Sequence, residues 1–327
     1  MPRSRSREPR WLGEATYRVL SYYFSVRWEW APAGERIDRV LGSFGVSPDP
    51  KEERSPPLPG VPPRYSLLRP RQRGDGRYWL LCSEAKLIGS RDAEDVLAYF
   101  SWHVSSEAFR RTGDFLLIHA GAVAAPTGAG VLLPGASGSG KTSLVAGLVR
   151  AGYSYLSDEA GVIDPVTRRL YPFPRALSLK AGSFMYFPEL EGSGDDFLPS
   201  RAEWHVRPEE LAQGHVPGEP CEIKFVVAPR YQPEAPTSLT PVTRAEGVME
   251  LATNAINLSL YGGRALHVLE GLVSRARCFR LVSGDLPSSV QALTELTEGP
   301  RRPRRRGQQP AGHSQRRANY GASGDGP

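Results

Sequence analysis

The chain has 327 residues, enough for a sizeable core and one or two domains. With 40% hydrophobic and 23% charged residues it has the balance of a globular protein. No apolar run approaches the ~20 residues that a membrane span needs, which argues against a membrane partner. The net charge of +6 is concentrated in the tails. Residues 1–10 contribute +3 and residues 300–327 contribute +6, which leaves the body at −3 and without the basic face of a nucleic-acid-binding module.

In chain order, residues 1–10 read as a disordered basic tail. Met1-Pro2-Arg3-Ser4-Arg5-Ser6-Arg7 is followed by no apolar segment, so a secretory signal is not expected. Tyr17 to Trp30, rich in aromatic and β-branched residues, predicts a strand. Ser47 to Pro63 is rich in Pro and charge and predicts a loop or linker. Tyr78 to Cys82 predicts another strand. Ser90 is the expected cap of a helix over 91–111, with Val96, Leu97, Phe100 and Val104 on one face. This region, 11–114, carries no recognisable chemistry.

Strands are expected over 115–124 and 130–133, with a turn at Pro126-Thr127-Gly128. A helix follows over 141–150, with Leu144, Val145, Leu148 and Val149 as its buried stripe and Gly152 beyond its end. Tyr153 to Leu156 predicts a strand closing on Ser157-Asp158-Glu159. Residues 161–163 and 169–173 predict a hairpin around Asp164-Pro165. Gly192 to Ser200 reads as a flexible acidic insert. Ile223 to Ala228 predicts a buried strand. Thr243 and Glu246 form a capping box for a helix with Val248, Leu251, Ala255 and Ile256 on one face. A helix over 265–274, a strand over 278–282 and a helix over 287–296 complete an alternation that fits an α/β core. Residues 298–327 read as a disordered Arg-rich tail. Cys82, Cys221 and Cys278 have no zinc or redox spacing and predict reduced, mostly buried thiols of a cytoplasmic protein.

The chemistry concentrates at Gly135-Ala136-Ser137-Gly138-Ser139-Gly140-Lys141-Thr142, which satisfies the Walker A pattern. Its glycines let backbone N–H groups turn toward phosphate oxygens, and the following helix adds its N-terminal dipole. Lys141 is expected to reach the β- and γ-phosphates. Thr142 is expected to ligate Mg²⁺, and Ser143 completes the nucleotide-binding set. Seventeen residues after Lys141 come Asp158 and Glu159. One helix, one turn and one short strand bring them back beside the glycine-rich loop. A carboxylate there can hold Mg²⁺ or take the proton of an attacking hydroxyl; an acidic turn between two strands is the plainer alternative.

Asp158-x-x-Gly161 imitates a GTPase motif, but no Asn/Thr-Lys-x-Asp follows to read guanine, and the spacing is too short for a switch segment. A Leu-Ser-Gly-Gly-Gln transporter signature is absent.

His119, the Walker A loop and the run Gly152-Tyr153-Ser154-Tyr155-Leu156-Ser157-Asp158-Glu159 together resemble the catalytic domain of HPr kinase/phosphorylase. Stand-alone HPr-kinase-like proteins, among them kinases of lasso-peptide precursors, carry runs similar to Phe173-Pro174-Arg175-Ala176-Leu177-Ser178-Leu179-Lys180 and Val226-Val227-Ala228-Pro229-Arg230-Tyr231. The resemblance covers roughly 115–295, within an expected catalytic domain of 115–297. It implies Asp158 as general base, Glu159 in place of a metal-side aspartate, and His119 near the base. His119 reads equally as a strand histidine with a hydrogen-bond partner. Arg175, Lys180 and Arg230 are basic candidates for phosphate or acceptor contacts, with solvated surface charge as the alternative. The family's Arg-Gly-x-Gly-Ile-Ile segment, used in phosphorolysis, is absent; only Glu222-Ile223-Lys224 matches its start.

The expectation is an α/β fold: a P-loop, HPr kinase-like core with a small divergent α+β N-terminal region. Its catalytic residues are Asp158, Lys141 and His119, and its metal ligands Thr142, Glu159 and Asp158. ATP with Mg²⁺ donates to a serine hydroxyl of a peptide or small protein. No specific nucleic acid is expected, and a homo-oligomer is allowed. The alternatives are a non-catalytic ATP-binding regulator and a small-molecule hydroxyl kinase.

Overall fold

The computed structural model describes residues 10–46, 62–71, 75–190, 203–212 and 218–299. The expected insert over 192–200 lies outside them, as do nearly all of both tails and most of the 47–63 linker. The described chain is mixed α/β, and no described helix is long and apolar enough to cross a membrane.

The first half builds a five-stranded sheet in the order β1-β2-β3-β4-β5 from β1 (Gly13–Val19), β2 (Tyr22–Trp28), β3 (Arg64–Leu68), β4 (Tyr78–Cys82) and β5 (Ala85–Ser90). The single strand expected over 17–30 is instead a hairpin, with Val19 opposite Tyr22. Leu20 turns it at φ 55°, a conformation usually given to glycine in two-residue hairpins. Ser83 and Glu84 turn β4 into β5 in the same way, with φ 45° and 73°. Helix α1 (Ala31–Leu41) buries Ala33, Ile37, Val40 and Leu41, and helix α2 (Ala93–Arg111) buries Val96, Leu97, Phe100 and Val104. The cap of α2 is Asp92, which accepts the Glu94 N–H at 2.9 Å, and not Ser90. Ser90 ends β5, and its hydroxyl donates to Asp95.

The second half adds β6 (Leu116–Ala124), β7 (Gly130–Pro134), α3 (Lys141–Arg150), β8 (Ser154–Ser157), β9 (Ala160–Ile163), β10 (Arg169–Tyr171), β11 (Leu177–Lys180) and β12 (Glu203–Val206). There follow α4 (Pro208–Leu211), β13 (Cys221–Tyr231), β14 (Ser238–Pro241), α5 (Arg244–Thr253), α6 (Leu258–Tyr261), α7 (Gly263–Val273), β15 (Arg277–Ser283) and α8 (Leu286–Glu298). The main sheet runs β10-β9-β6-β7-β13-β15-β14, and β8 shares with β9 the edge of β6 away from β7. β7, β13 and β15 are parallel neighbours. Parallel strands are buried on both faces, as β7 is throughout and β13 is over Phe225–Pro229, whereas Arg277 and Arg280 of β15 are exposed. One face packs under α3 and α8, where Val131, Leu133, Phe225 and Val227 meet Leu144, Val145, Leu148 and Leu293. The other lies against α5, α6 and α7, where Leu132 and Val226 meet Leu251, Ala265 and Leu269. The capping box at Thr243 and Glu246 forms as expected, but α5 ends at Thr253. Ala255 and Ile256 therefore lie beyond the helix, and Ile256 is exposed.

Gly121 sets how closely α3 approaches the sheet. A Cβ there would lie 2.6 Å from a Val145 methyl carbon, so only glycine lets the helix rest on β6. Asn257 fixes the start of β6: its side-chain oxygen accepts the Leu117 N–H, and its amide donates to the Thr112 and Phe115 carbonyls.

The two halves share a core. Leu117, Ala160, Val162 and Phe173 belong to the main sheet and the segment after it, yet they are buried among the side chains of β1–β4, α1 and α2. Phe173 is 1% exposed, with its ring 5.2 Å from Phe44 and 5.7 Å from Phe109. Phe173→Ala should cost about 3–5 kcal/mol, as for other buried aromatic truncations. Urea unfolding should remain one cooperative transition at a lower midpoint; two separate transitions would show that the halves fold independently.

Candidate functional site

Between α2, the glycine-rich loop and β11–β12 lies a cleft of about 540 Å³, within the usual range for small-molecule sites. The loop joins the end of β7 to the start of α3. Gly138 and Gly140 hold φ 84° and 90°, a region side chains disfavour, and these turns aim successive N–H groups inward. Gly135 N–H is tied to the His119 carbonyl at 3.3 Å, and Ser139 N–H to Ala136 at 3.2 Å. Among the described residues, the N–H groups of Ala136, Ser137, Gly138 and Gly140 donate to no protein acceptor. The Ser139 hydroxyl is buried without a partner.

Lys141 does not face solvent, as an open loop would imply. It is 6% exposed, and its ammonium donates to the Gly135 and Ala136 carbonyls at 2.6 and 2.8 Å. Burial pushes its pKa down to about 8; Asp158 opposes that shift and Lys180 adds to it. Thr142 and Ser143 lie in the first turn of α3 and line the cleft, and the Ser143 hydroxyl is hydrogen-bonded to Ser183.

Asp158 sits just past β8, 5% exposed. Its Oδ2 accepts the Ser178 N–H at 3.1 Å, and its Oδ1 lies 3.1 Å from the Tyr155 hydroxyl. That hydroxyl is also 2.9 Å from the Arg175 carbonyl, which can only accept. Tyr155 has one proton for two acceptors, so the set is complete when Asp158 is protonated and donates to the Tyr155 oxygen. Burial raises the Asp158 pKa, and the charge of Arg175 and the Ser178 N–H oppose this only in part.

Glu159 lines the same cleft but is bonded elsewhere. Arg175 holds its carboxylate in a salt bridge and donates at 3.0 Å to Ser105 of α2. A metal-side role for Glu159 would have to compete with that buried guanidinium. The His119 ring lies 3.2 Å from the Glu159 carbonyl, so Nδ1 carries the proton and donates. Burial and then the Lys141 charge lower the His119 pKa, which keeps the ring neutral. The cleft thus gathers His119, Lys141, Thr142, Ser143, Asp158, Glu159, Arg175 and Lys180. Arg230 does not line it and is paired with Glu250 at 3.2 Å.

No protein-family model matches the chain, and no curated protein does.

Several cleft residues carry no motif signal. Tyr155 and Ser178, which hold Asp158, stand in the sequence reading only as members of the runs 152–159 and 173–180, with no role of their own. Ala98, Ser101, Trp102 and Ser105 form one stripe of α2, and the first three line the cleft, with Trp102 61% exposed. His205 of β12 also faces the cleft, and its Nδ1 is buried without a partner. Burial, then the charges of Arg36, Arg175 and Arg39, push its pKa down to about 3, so this ring too is neutral. No described group of three or more His, Cys, Asp or Glu residues could hold a metal unaided.

The raised pKa of Asp158 fixes how stability responds to pH. The folded protein resists ionisation more than the unfolded chain does. Stability is therefore lost as pH rises from the ordinary carboxylate value, 3.8, through the higher folded value. Asp158→Asn removes that loss, and its amide can donate to Tyr155 while its oxygen accepts from Ser178. The variant should melt higher than the parent at pH 7, and the gap should close in acid below the ordinary carboxylate value. A lower melting temperature at neutral pH would show that the ionised carboxylate stabilises the fold.

Proposed function

We propose that the chain is an ATP-dependent, HPr kinase-like P-loop kinase that transfers the γ-phosphoryl group to a hydroxyl, with a serine of a peptide or small protein as the acceptor. The observation that carries this reading is the glycine-rich loop, with unpartnered N–H groups and Lys141, opening on the same cleft as the buried Asp158. Four free N–H donors, an orphaned Ser139 hydroxyl and a helix start suit a chain of phosphates. They have no counterpart in a purely structural loop, whose buried polar groups are normally satisfied.

In this reading the phosphates replace the Gly135 and Ala136 carbonyls as partners of Lys141. The Thr142 hydroxyl and one Asp158 oxygen would hold Mg²⁺, which neutralises charge on the phosphate oxygens; magnesium sites of this kind need few protein ligands. The acceptor oxygen bonds to the γ-phosphorus, and the bond to the β–γ bridging oxygen breaks with its electron pair leaving on ADP. Asp158 takes the acceptor proton. A carboxyl raised above its ordinary pKa is better matched to that task at neutral pH than an exposed aspartate. His119, neutral and bonded to the Glu159 carbonyl, positions the backbone next to Asp158. Arg175 holds Glu159 and couples the carboxylate end to α2.

A purely regulatory ATP-binding protein would share the loop and the Mg²⁺ ligand but needs no proton acceptor at Asp158. Two variants separate the readings. Lys141→Met keeps much of the packing volume while removing the charge, and calorimetry should show ATP binding weakened about 10–100-fold, the worth of a charge-assisted bond. Asp158→Asn keeps Lys141, the loop N–H groups and an oxygen for Mg²⁺, so it should retain most of the ATP affinity yet lose about 10²–10⁴-fold in turnover. Unchanged ATP affinity in the first variant would remove the phosphate cradle; unchanged turnover in the second would remove the base.

A further inference from the structure

Resting on that reading, a second cation can be assigned to the phosphate end of the cleft. β11 alternates strictly: Leu177 and Leu179 are fully buried in the core under α3, whereas Ser178 and Lys180 line the cleft. Across the β11–β12 ladder, Lys180 stands opposite Glu203, the natural ion partner in such a pair. That partner is diverted, because the Ser178 hydroxyl donates to the Glu203 carboxylate. Among the described residues the Lys180 side chain forms no ion pair and no hydrogen bond.

Its neighbour in the cleft is also a cation without an ion pair. Lys141 is bonded only to two carbonyls, and Lys180 is close enough for its charge to help depress the Lys141 pKa. Two ammonium groups without an ion pair thus face one cleft beside the unpartnered loop N–H groups, with the Asp158 and Glu203 carboxyls lining the same cleft. The chain on either side fixes where Lys180 stands along the site. Two residues before it, the Ser178 N–H holds Asp158; three residues after it, Ser183 is hydrogen-bonded to Ser143 in the first turn of α3. Residue 180 therefore lies between the carboxyl that faces the acceptor and the helix start that faces the phosphates.

We propose that Lys180 contacts the γ-phosphate and, with Lys141, clamps the phosphoryl group during transfer. The acceptor proton goes to Asp158, and the Lys180 ammonium stabilises the negative charge on the non-bridging oxygens. ADP lacks the group that Lys180 touches, so the residue discriminates between the two nucleotides.

The test is calorimetric titration of the full-length parent, Lys180→Gln and Lys180→Arg with Mg·ATP and with Mg·ADP. Lys180→Gln should weaken ATP about 10–100-fold, as expected for loss of a charge-assisted contact, and leave ADP within about twofold. Lys180→Arg should keep most of the preference for ATP. Equal weakening of both nucleotides, or no change in either, would overturn the assignment and make Lys180 a solvated charge. A parent that binds neither nucleotide would overturn the underlying reading, and that failure is visible before any variant is compared.

Discussion

The Asp158 carboxyl is held in a place where it cannot ionise freely, and the cleft is organised around that constraint. Its two partners come from opposite directions, Tyr155 on its own strand and Ser178 from β11. Tyr155 cannot satisfy both Asp158 and the Arg175 carbonyl with one proton. A fold selected for stability alone would fill this position with asparagine or an apolar residue. The carboxyl kept here has its pKa raised by burial and lines the same cleft as the glycine-rich loop.

Arg175 extends this arrangement to the rest of the molecule. It neutralises Glu159, and burial, though it disfavours the guanidinium charge, is outweighed by Glu159 and Asp158, which hold its pKa above the usual value. Its bond to Ser105 fixes the same site to α2. The stripe Ala98, Ser101, Trp102 and Ser105 therefore makes the N-terminal half one wall of the cleft. The shared core around Phe173 packs that half against the main sheet. One side of the cleft is in this sense built by the half of the chain that shows no chemistry in its sequence.

How much of this was legible in the sequence depends on the range of the interactions. The loop, α3 and the return to Asp158 follow from a local motif and from apolar periodicity, and their boundaries in the structure match closely. The two hairpins of the N-terminal sheet were hidden because Leu20, Ser83 and Glu84 adopt turn conformations that normally mark themselves with glycine. α1 carries its apolar residues at helical spacing but follows directly on an aromatic strand, and no element was expected over 31–41. The cap at Asp92 was misplaced by two residues because Ser90 also bonds to the helix start, through Asp95. At the site, the burial of Lys141 depends on carbonyls that the loop folds over it. The capture of Glu159 depends on an arginine sixteen residues further on. Neither leaves a trace in residue spacing. The alternation that points Ser178 and Lys180 into the cleft is present in Leu177-Ser178-Leu179-Lys180, but only the position of α3 shows which face is the core.

The most direct measurement of the proposed chemistry is transfer of labelled γ-phosphate. The full-length protein would be incubated with Mg²⁺, ATP carrying the label in its γ-phosphoryl group, and a set of serine-containing peptides, with the label located by mass spectrometry. The proposed chemistry requires label on a serine hydroxyl with the parent and little or none with Asp158→Asn. Label that stays on ATP, or appears only as inorganic phosphate whichever peptide is present, would contradict it.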